Sequence, residues 1–376
     1  MQNIQMVDLK TQYARIQEEV DAAVLEVIRS GAFINGPAVK GFQAGLEQYL
    51  GSATSVIPCA NGTDALQIAL MALGLKPGDE VILPAFTYVA TAEVIALLGL
   101  KPVMVDVDPH TFNVTPAIVE AAITPQTRAI VPVNLFGQSC DLEPIMELAS
   151  RHGIWVVEDN AQAIGADYTF ADGHTQKTGT IGHIGCTSFY PSKNLGAFGD
   201  AGALYTSDPT LAERIRVIAN HGQQKTYYHD FVGVNSRLDS IQAAILGIKL
   251  RHLDAYAEAR QTAAAAYDAG LMEVPELVLP ARQHNSTHVF HQYTLRVRNG
   301  QRDALQVFLR EKGIPSMIYY PVPLYKQEAY SGFAAPGFEL PVTEQLCREV
   351  ISLPMHTELS REMLDTIVAT VKSFFA

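Results

Sequence analysis

The chain has 376 residues, 48% of them hydrophobic and 18% charged, and carries a formal net charge of −12. That composition describes an ordinary globular protein, excludes a disordered or fibrous one, and disfavours nonspecific binding to nucleic acid or to an anionic membrane. Cys59, Cys140, Cys186 and Cys347 show no CxxC spacing, so no disulfide framework and no metal site are expected. No apolar run reaches the ~18 residues of a membrane span, so the expected location is the cytoplasm.

At about 150 residues per domain the chain should form two units. Ile16, Val20, Val24, Val27 and Ile28 recur at helical spacing and predict a helix over residues 12–30, stopped by Gly31. A second helix follows from Val39 to Leu50, after the Asn35-Gly36-Pro37 turn. Short apolar runs then predict strands at Ser55–Cys59, Glu80–Leu83, Pro102–Val107, Ala129–Val133 and Ile154–Glu158, alternating with helices such as Thr63–Leu73 and Leu142–His152. This alternation predicts an α/β fold with a mostly parallel sheet covered on both faces. Asp167 to His183 reads as a β-hairpin excursion, Gly202 to Tyr205 as a strand and Leu211 to Ala219 as a helix. The stretch from His221 to Arg237 is too long, and too rich in His and Tyr, for a plain linker, so a functional loop is expected. One long helix is expected from Asp239 through Leu253 to Asp268, bridging to a smaller α+β unit. That unit should hold a strand at Val289–Val297 and helices at Asp303–Lys312 and Arg361–Phe374. Prolines keep Tyr319-Tyr320-Pro321-Val322-Pro323-Leu324 out of a central strand and assign it to an exposed edge or loop. The expected division is 1–253 and 254–376.

Ligands of such sheets sit beyond the carboxyl ends of the strands, so the residues after each run carry the candidates. Asn61-Gly62-Thr63-Asp64 opens a helix, where it can receive a phosphate or simply cap the helix. Phe86-Thr87-Tyr88 offers aromatics to a planar ring or to the core. Glu158-Asp159 ends a buried strand with two acids, which must be paired, hydrogen-bonded or functional. A carboxylate facing a pyridine nitrogen would keep it protonated and strengthen the ring as an electron sink. Lys193 is the one cation in the stretch from Thr187 to Gly202. Desolvation there would favour the neutral amine, the form that condenses with aldehydes, and Ser188 offers a hydroxyl to a phosphate. Pyridoxal phosphate carries both an aldehyde and a phosphate. The dinucleotide pattern GxGxxG and the Walker pattern GxxxxGK[ST] are both missing, which disfavours a dehydrogenase or a P-loop enzyme.

Taken together, Asn61 to Leu66, Phe86-Thr87-Tyr88, Glu158-Asp159-Asn160-Ala161-Gln162, Ser188 to Gly202 and Gly233-Val234-Asn235-Ser236-Arg237-Leu238-Asp239 resemble the DegT/DnrJ/StrS family of nucleotide-sugar aminotransferases. The resemblance spans essentially the whole chain. It implies the aspartate aminotransferase fold (fold type I) and pyridoxal 5'-phosphate as cofactor. By the same resemblance Lys193 forms the Schiff base and shuttles the proton, Asp159 pairs with the pyridinium nitrogen, Gln162 meets the ring hydroxyl and Tyr88 stacks on the ring. Gly62, Thr63 and Ser188 would hold the phosphate, joined by Asn235 of a second subunit, which implies a homodimer with shared active sites. Arg237 would bind the carboxylate of the amino donor, glutamate. Related dehydratases carry His in place of the lysine, so Lys193 implies amino transfer. Two positions depart from the family pattern: Asn160 stands where Ala is common, and Ala201 where Gly is common. Ala60 to Ala65, His221 to Arg237 and Tyr320 to Gln327 are most similar to aminotransferases acting on UDP-2-acetamido-2-deoxy-3-oxo-glucuronate, which serve lipopolysaccharide sugar synthesis. Tyr319 and Tyr320, where those relatives have His-Tyr, would contact the sugar. A dTDP-3-oxo-6-deoxyhexose is the rival substrate, and a non-catalytic regulator on the same fold is the rival class.

Overall fold

The structure, a computed structural model, describes residues 4–51 and 53–376. Helix α1 (Leu9–Ser30) is capped by Asp8, whose carboxylate accepts the Thr11 N–H; it buries Ile16, Val20 and Val27 and ends at Gly31, which has φ 68°. Helix α2 (Pro37–Leu50) starts on its proline and buries Val39, Phe42, Leu46 and Leu50.

The central sheet is built from β1 (Ser55–Cys59), β2 (Glu80–Pro84), β3 (Lys101–Val105), β4 (Thr127–Ile130) and β5 (Trp155–Asp159). After the hairpin β6 (Asp167–Thr169) and β7 (Thr175–Lys177), it adds β8 (Ile184–Ser188) and β9 (Gly202–Thr206). The seven strands lie in the order β1-β9-β8-β5-β4-β2-β3. Only β9 runs antiparallel to its neighbours. Helices α3 (Gly62–Ala72), α4 (Ala90–Leu97), α5 (Pro116–Ala122) and α6 (Leu142–His152) connect its first five strands, and α7 (Pro209–Ala219) follows β9. Val81 and Leu83 of β2 enter one core with Ile68 and Leu204, whereas Ile82 between them enters another with Ile130, Val156 and Ile145. The period of two thus buries both faces of β2, as a covered parallel strand requires.

Three expectations need correction, and several strands, β8 among them, were not expected. Strand β8 reads Ile-Gly-Cys-Thr-Ser and lacks a branched apolar run because its neighbour lies too close: a Cβ on Gly185 would stand 1.9 Å from the Gly179 carbonyl oxygen. The single long helix is two, α8 (Ser240–Leu250) and α9 (Leu253–Leu271). Arg251 and His252 turn the chain by bonding back three residues, to Ile248 and Lys249, so that Leu246 and Leu253 enter one core. The strand expected at Val289–Val297 begins only at Tyr293, because Phe290 takes a left-handed φ of 45°. Residues 319–324 form a loop, as their prolines require, but it is not exposed throughout. Leu324 is buried, and its N–H bonds the Ala85 carbonyl at 3.3 Å.

A short hairpin, β10 (Gln223–Lys225) and β11 (Tyr228–His229), occupies the His/Tyr-rich stretch. The C-terminal part holds an antiparallel sheet of β12 (Leu277–Val278), β13 (Tyr293–Val297) and β14 (Val350–Leu353), with α10 (Arg302–Glu311), α11 (Pro341–Glu349) and α12 (Arg361–Phe375). No helix of the described residues is long and apolar enough to cross a membrane.

Candidate active site

The carboxyl ends of β1, β2, β5 and β8 open on one cleft of about 880 Å³. Its wall brings together Gly62, Thr63, Tyr88, Asp159, Gln162, Ser188, Lys193, Tyr319 and Tyr320. Asn235 and Arg237 do not line it; in a single chain Asn235 is exposed and Arg237 half-buried. Ser236 between them is buried: its Oγ accepts the Ala60 N–H at 3.0 Å, tying this segment to the turn before α3.

One end of the cleft is shaped for an anion. Asn61 caps α3 by accepting the Asp64 N–H at 2.8 Å, which leaves the N–H groups of Gly62 and Thr63 without an intrahelical partner. Glycine is required at two points. A Cβ on Gly62 would stand 2.6 Å from Ser188 Cβ, and one on Gly202 would stand 2.5 Å from the Asn61 carbonyl. Ser188 Oγ therefore sits beside the first turn of α3, forming a cup of backbone and hydroxyl donors.

The two acids of β5 part company. Glu158 is fully buried and accepts N–H bonds from Gly179 at 2.7 Å, Ile181 at 2.8 Å and Gly182 at 2.6 Å, with the Asn134 amide at 3.3 Å. It anchors the turn after β7. Asp159 lines the cleft, where its Oδ2 accepts the Thr91 hydroxyl at 2.8 Å and its Oδ1 the Ala161 N–H at 3.2 Å. Burial pushes its carboxyl above the ordinary value, opposed by these donors and by the charge of Lys193. A cation arriving opposite Asp159 would restore its ionised form.

Lys193 stands on a tightly wrapped loop. Its own N–H bonds the Tyr190 carbonyl at 2.8 Å, the Ala197 N–H bonds Phe189 at 2.7 Å, and the Asn194 amide donates to the Val289 carbonyl at 2.9 Å. Lys249, itself buried, donates to the Gly196 carbonyl at 2.5 Å. Burial pushes the Lys193 amine down to about 8, against the pull of Asp159. Gln162 is fixed from both sides: its Oε1 accepts the Phe136 N–H at 2.8 Å, and its Nε2 donates to the Tyr320 hydroxyl at 3.2 Å. Tyr320 packs edge-on against Phe86 and lies 6.4 Å from the Tyr88 ring.

Sequence reasoning missed several groups here. Thr91 bonds Asp159, and the Thr87 hydroxyl, in the wall, is buried with no partner among the described residues. His291 and Phe136 also line the cleft. The His291 ring is held well below its ordinary pKa by burial and by the charges of Lys193 and Arg260, so it stays neutral. Left-handed φ values of 57° at Phe136 and 45° at Phe290, beside His291, mark the turns that bring these residues to the cleft, and a sequence does not display them.

The donor set fits pyridoxal phosphate: a phosphate cup that a Cβ would fill, an unpartnered hydroxyl, a carboxylate awaiting a cation and an amine near neutrality. A mostly parallel α/β sheet with this constellation defines a cofactor-dependent amino-group transferase. The chain matches the DegT/DnrJ/EryC1/StrS aminotransferase family over residues 14–372 and belongs to it. Membership makes it a pyridoxal-phosphate-dependent sugar aminotransferase. It is similar to the UDP-2-acetamido-2-deoxy-3-oxo-D-glucuronate aminotransferase of Pseudomonas aeruginosa, at 47% identity over 98% of this chain and 99% of the relative. A Geobacillus stearothermophilus protein named pleiotropic regulatory protein is also 47% identical, over 99% of each chain. Among solved structures, S. venezuelae DesV in complex with a ketimine intermediate superposes with a TM-score of 0.94 at 41% identity, covering 100% of this chain and 99% of that one.

Proposed function

We propose that the chain moves the amino group of glutamate to carbon 3 of an oxidised nucleotide sugar, with UDP-2-acetamido-2-deoxy-3-oxo-D-glucuronate as substrate and lipopolysaccharide (O-antigen) sugar synthesis as its setting. The observation that carries this reading is a position shared among relatives. The Pseudomonas aminotransferase takes a 3-oxo sugar, an Acidithiobacillus relative is a 3-aminotransferase of a 3-dehydro glucosamine, and two dTDP-sugar transaminases bear the names of 3-amino products. The nucleotide and the group at carbon 6 differ between them, so those two features distinguish the rival, a dTDP-3-oxo-6-deoxyhexose. A panel of 3-oxo nucleotide sugars assayed with glutamate decides: fastest turnover of the UDP uronate supports the reading, and preference for a dTDP sugar moves it to the rival. Two relatives bear regulatory names, but Lys193 and Asp159 in one cleft favour turnover over a purely regulatory role.

When bound, pyridoxal phosphate supplies an aldehyde that takes up amines and a ring that accepts the electron pair left by a departing proton. The N–H groups of Gly62 and Thr63 and the Ser188 hydroxyl would hold its phosphate. Asp159 would hold the proton on the ring nitrogen, Gln162 would meet the ring hydroxyl, and Tyr88 would cover the ring face. Lys193 would bind the aldehyde carbon as a neutral amine and, once displaced, take and return the proton at the substrate carbon. Lys193 is the only basic side chain among the described residues of the wall, against Asp64, Glu93, Asp159 and Asp200, with His291 neutral. Bound anions therefore need further donors and positive charge from elsewhere. In our reading a second copy supplies them: Asn235 to the phosphate and Arg237 to the carboxylate of glutamate, in a cytoplasmic homodimer. The division into 1–253 and 254–376 belongs to the same reading, with the cleft formed mostly by the first unit and closed by Tyr319 and Tyr320 of the second.

A further inference from the structure

Thr91 sits in the first turn of α4, only 1% exposed and outside the cleft wall. A threonine inside a helix ordinarily returns its hydroxyl hydrogen to a carbonyl three or four residues back. Thr91 instead gives that hydrogen to Asp159 Oδ2, at 2.8 Å. With Ala161 N–H on Oδ1, both oxygens of the carboxylate are held by donors, which fixes the plane of the group while leaving lone pairs for the cleft. A donor on a carboxylate favours its ionised form over its neutral one. The neighbouring Glu158 is served by backbone amides and needs no side-chain hydroxyl to stay in place.

We propose that Thr91 is a positioning residue for the ring-nitrogen contact: through Asp159 it fixes where the proton shared by that carboxylate and the pyridine nitrogen resides. The inference rests on the pyridoxal-phosphate reading of the cleft. Without the hydroxyl, Asp159 becomes the stronger base, and the proton passes from the ring nitrogen to a carboxylate oxygen; no other bond changes. The ring then draws electrons less strongly, and the ion pair that helps retain the cofactor is lost.

Thr91→Val removes the hydroxyl at nearly constant shape, Thr91→Ala repeats the loss should valine fold badly, and Thr91→Ser restores the donor. Two readouts avoid turnover altogether: nitrogen NMR of isotope-labelled pyridoxal phosphate bound to each variant, and its Kd by equilibrium dialysis. The valine and alanine variants should show a deprotonated ring nitrogen and a Kd raised about 10- to 100-fold, as loss of a hydrogen bond to a charged group implies. Serine should match the parent in both. Valine and alanine variants with the parent's nitrogen shift and Kd would overturn the proposal. So would a serine variant as impaired as valine, since that pattern reports packing. If the parent itself fails to bind pyridoxal phosphate, the reading of the cleft falls first, and the two failures are told apart by that control.

Discussion

Replacing Gly62 by alanine strains the anion end of the cleft. The added Cβ would stand 2.6 Å from Ser188 Cβ and 3.2 Å from its Cα and Oγ. Carbon atoms rest about 3.5–4.0 Å apart, so the start of α3 and the end of β8 must separate by about 1 Å. Neither moves freely. Ser188 is paired with Gly202 in the sheet, and Gly202 already abuts the Asn61 carbonyl, where a Cβ would stand 2.5 Å away. A hydrogen bond stretched by about 1 Å is no longer one. At least one donor to the phosphate is then lost, worth about 1.5–3 kcal/mol because the acceptor is charged. The Kd for pyridoxal phosphate should rise about 10- to 150-fold, measured by equilibrium dialysis. Gly247→Ala in α8 is the control: its Cβ meets nothing within 4 Å, so it should keep the parent's Kd and gain up to about 1 kcal/mol of stability. A Gly62→Ala variant that binds as tightly as the parent would refute the close-approach argument.

Three further outcomes follow from the site. Because the amine of Lys193 titrates near about 8, the rate at which cofactor-free enzyme captures pyridoxal phosphate should climb with pH and level off above that value. The neutral amine is the reactive form, and a midpoint near the ordinary lysine value would contradict its burial. Glu158→Gln replaces one acceptor oxygen by an NH2, which then faces either the Gly179 N–H or the N–H groups of Ile181 and Gly182, and should cost about 2–4 kcal/mol in chemical denaturation; no loss of stability would show that the charge is dispensable. Arg237→Ala should raise the KM for glutamate about tenfold or more while leaving cofactor affinity unchanged, and steady-state kinetics with unaltered glutamate dependence would remove its carboxylate role.

The sequence announced the parallel sheet because strands buried on both faces spell long apolar runs, as in Glu80 to Pro84, where every position is buried. It did not announce β8, whose small residues answer to a backbone contact rather than to hydrophobic period. The ends of expected strands brought Gly62 and Asp159 into view, whereas Lys193 stood out as the one cation of its glycine-rich stretch and Ser188 as a hydroxyl near it. Residue pattern alone did not separate Glu158 from Asp159, which only the family resemblance singled out, because adjacent residues on a strand point to opposite faces and only the fold says which face holds amides and which the cleft. Thr91, Phe136 and His291 reach the site through tertiary contacts that no local pattern encodes. The helix break after Leu250 escaped for a related cause: Arg251 and His252 are ordinary helical residues, and only the core they must serve turns them.

The most direct measurement treats the enzyme with pyridoxal phosphate, reduces it with borohydride, and maps the modified peptide by mass spectrometry. The account predicts a single phosphopyridoxyl group on Lys193, lost in Lys193→Ala together with glutamate-dependent amino transfer. A label on another lysine, or full turnover by the alanine variant, would contradict it.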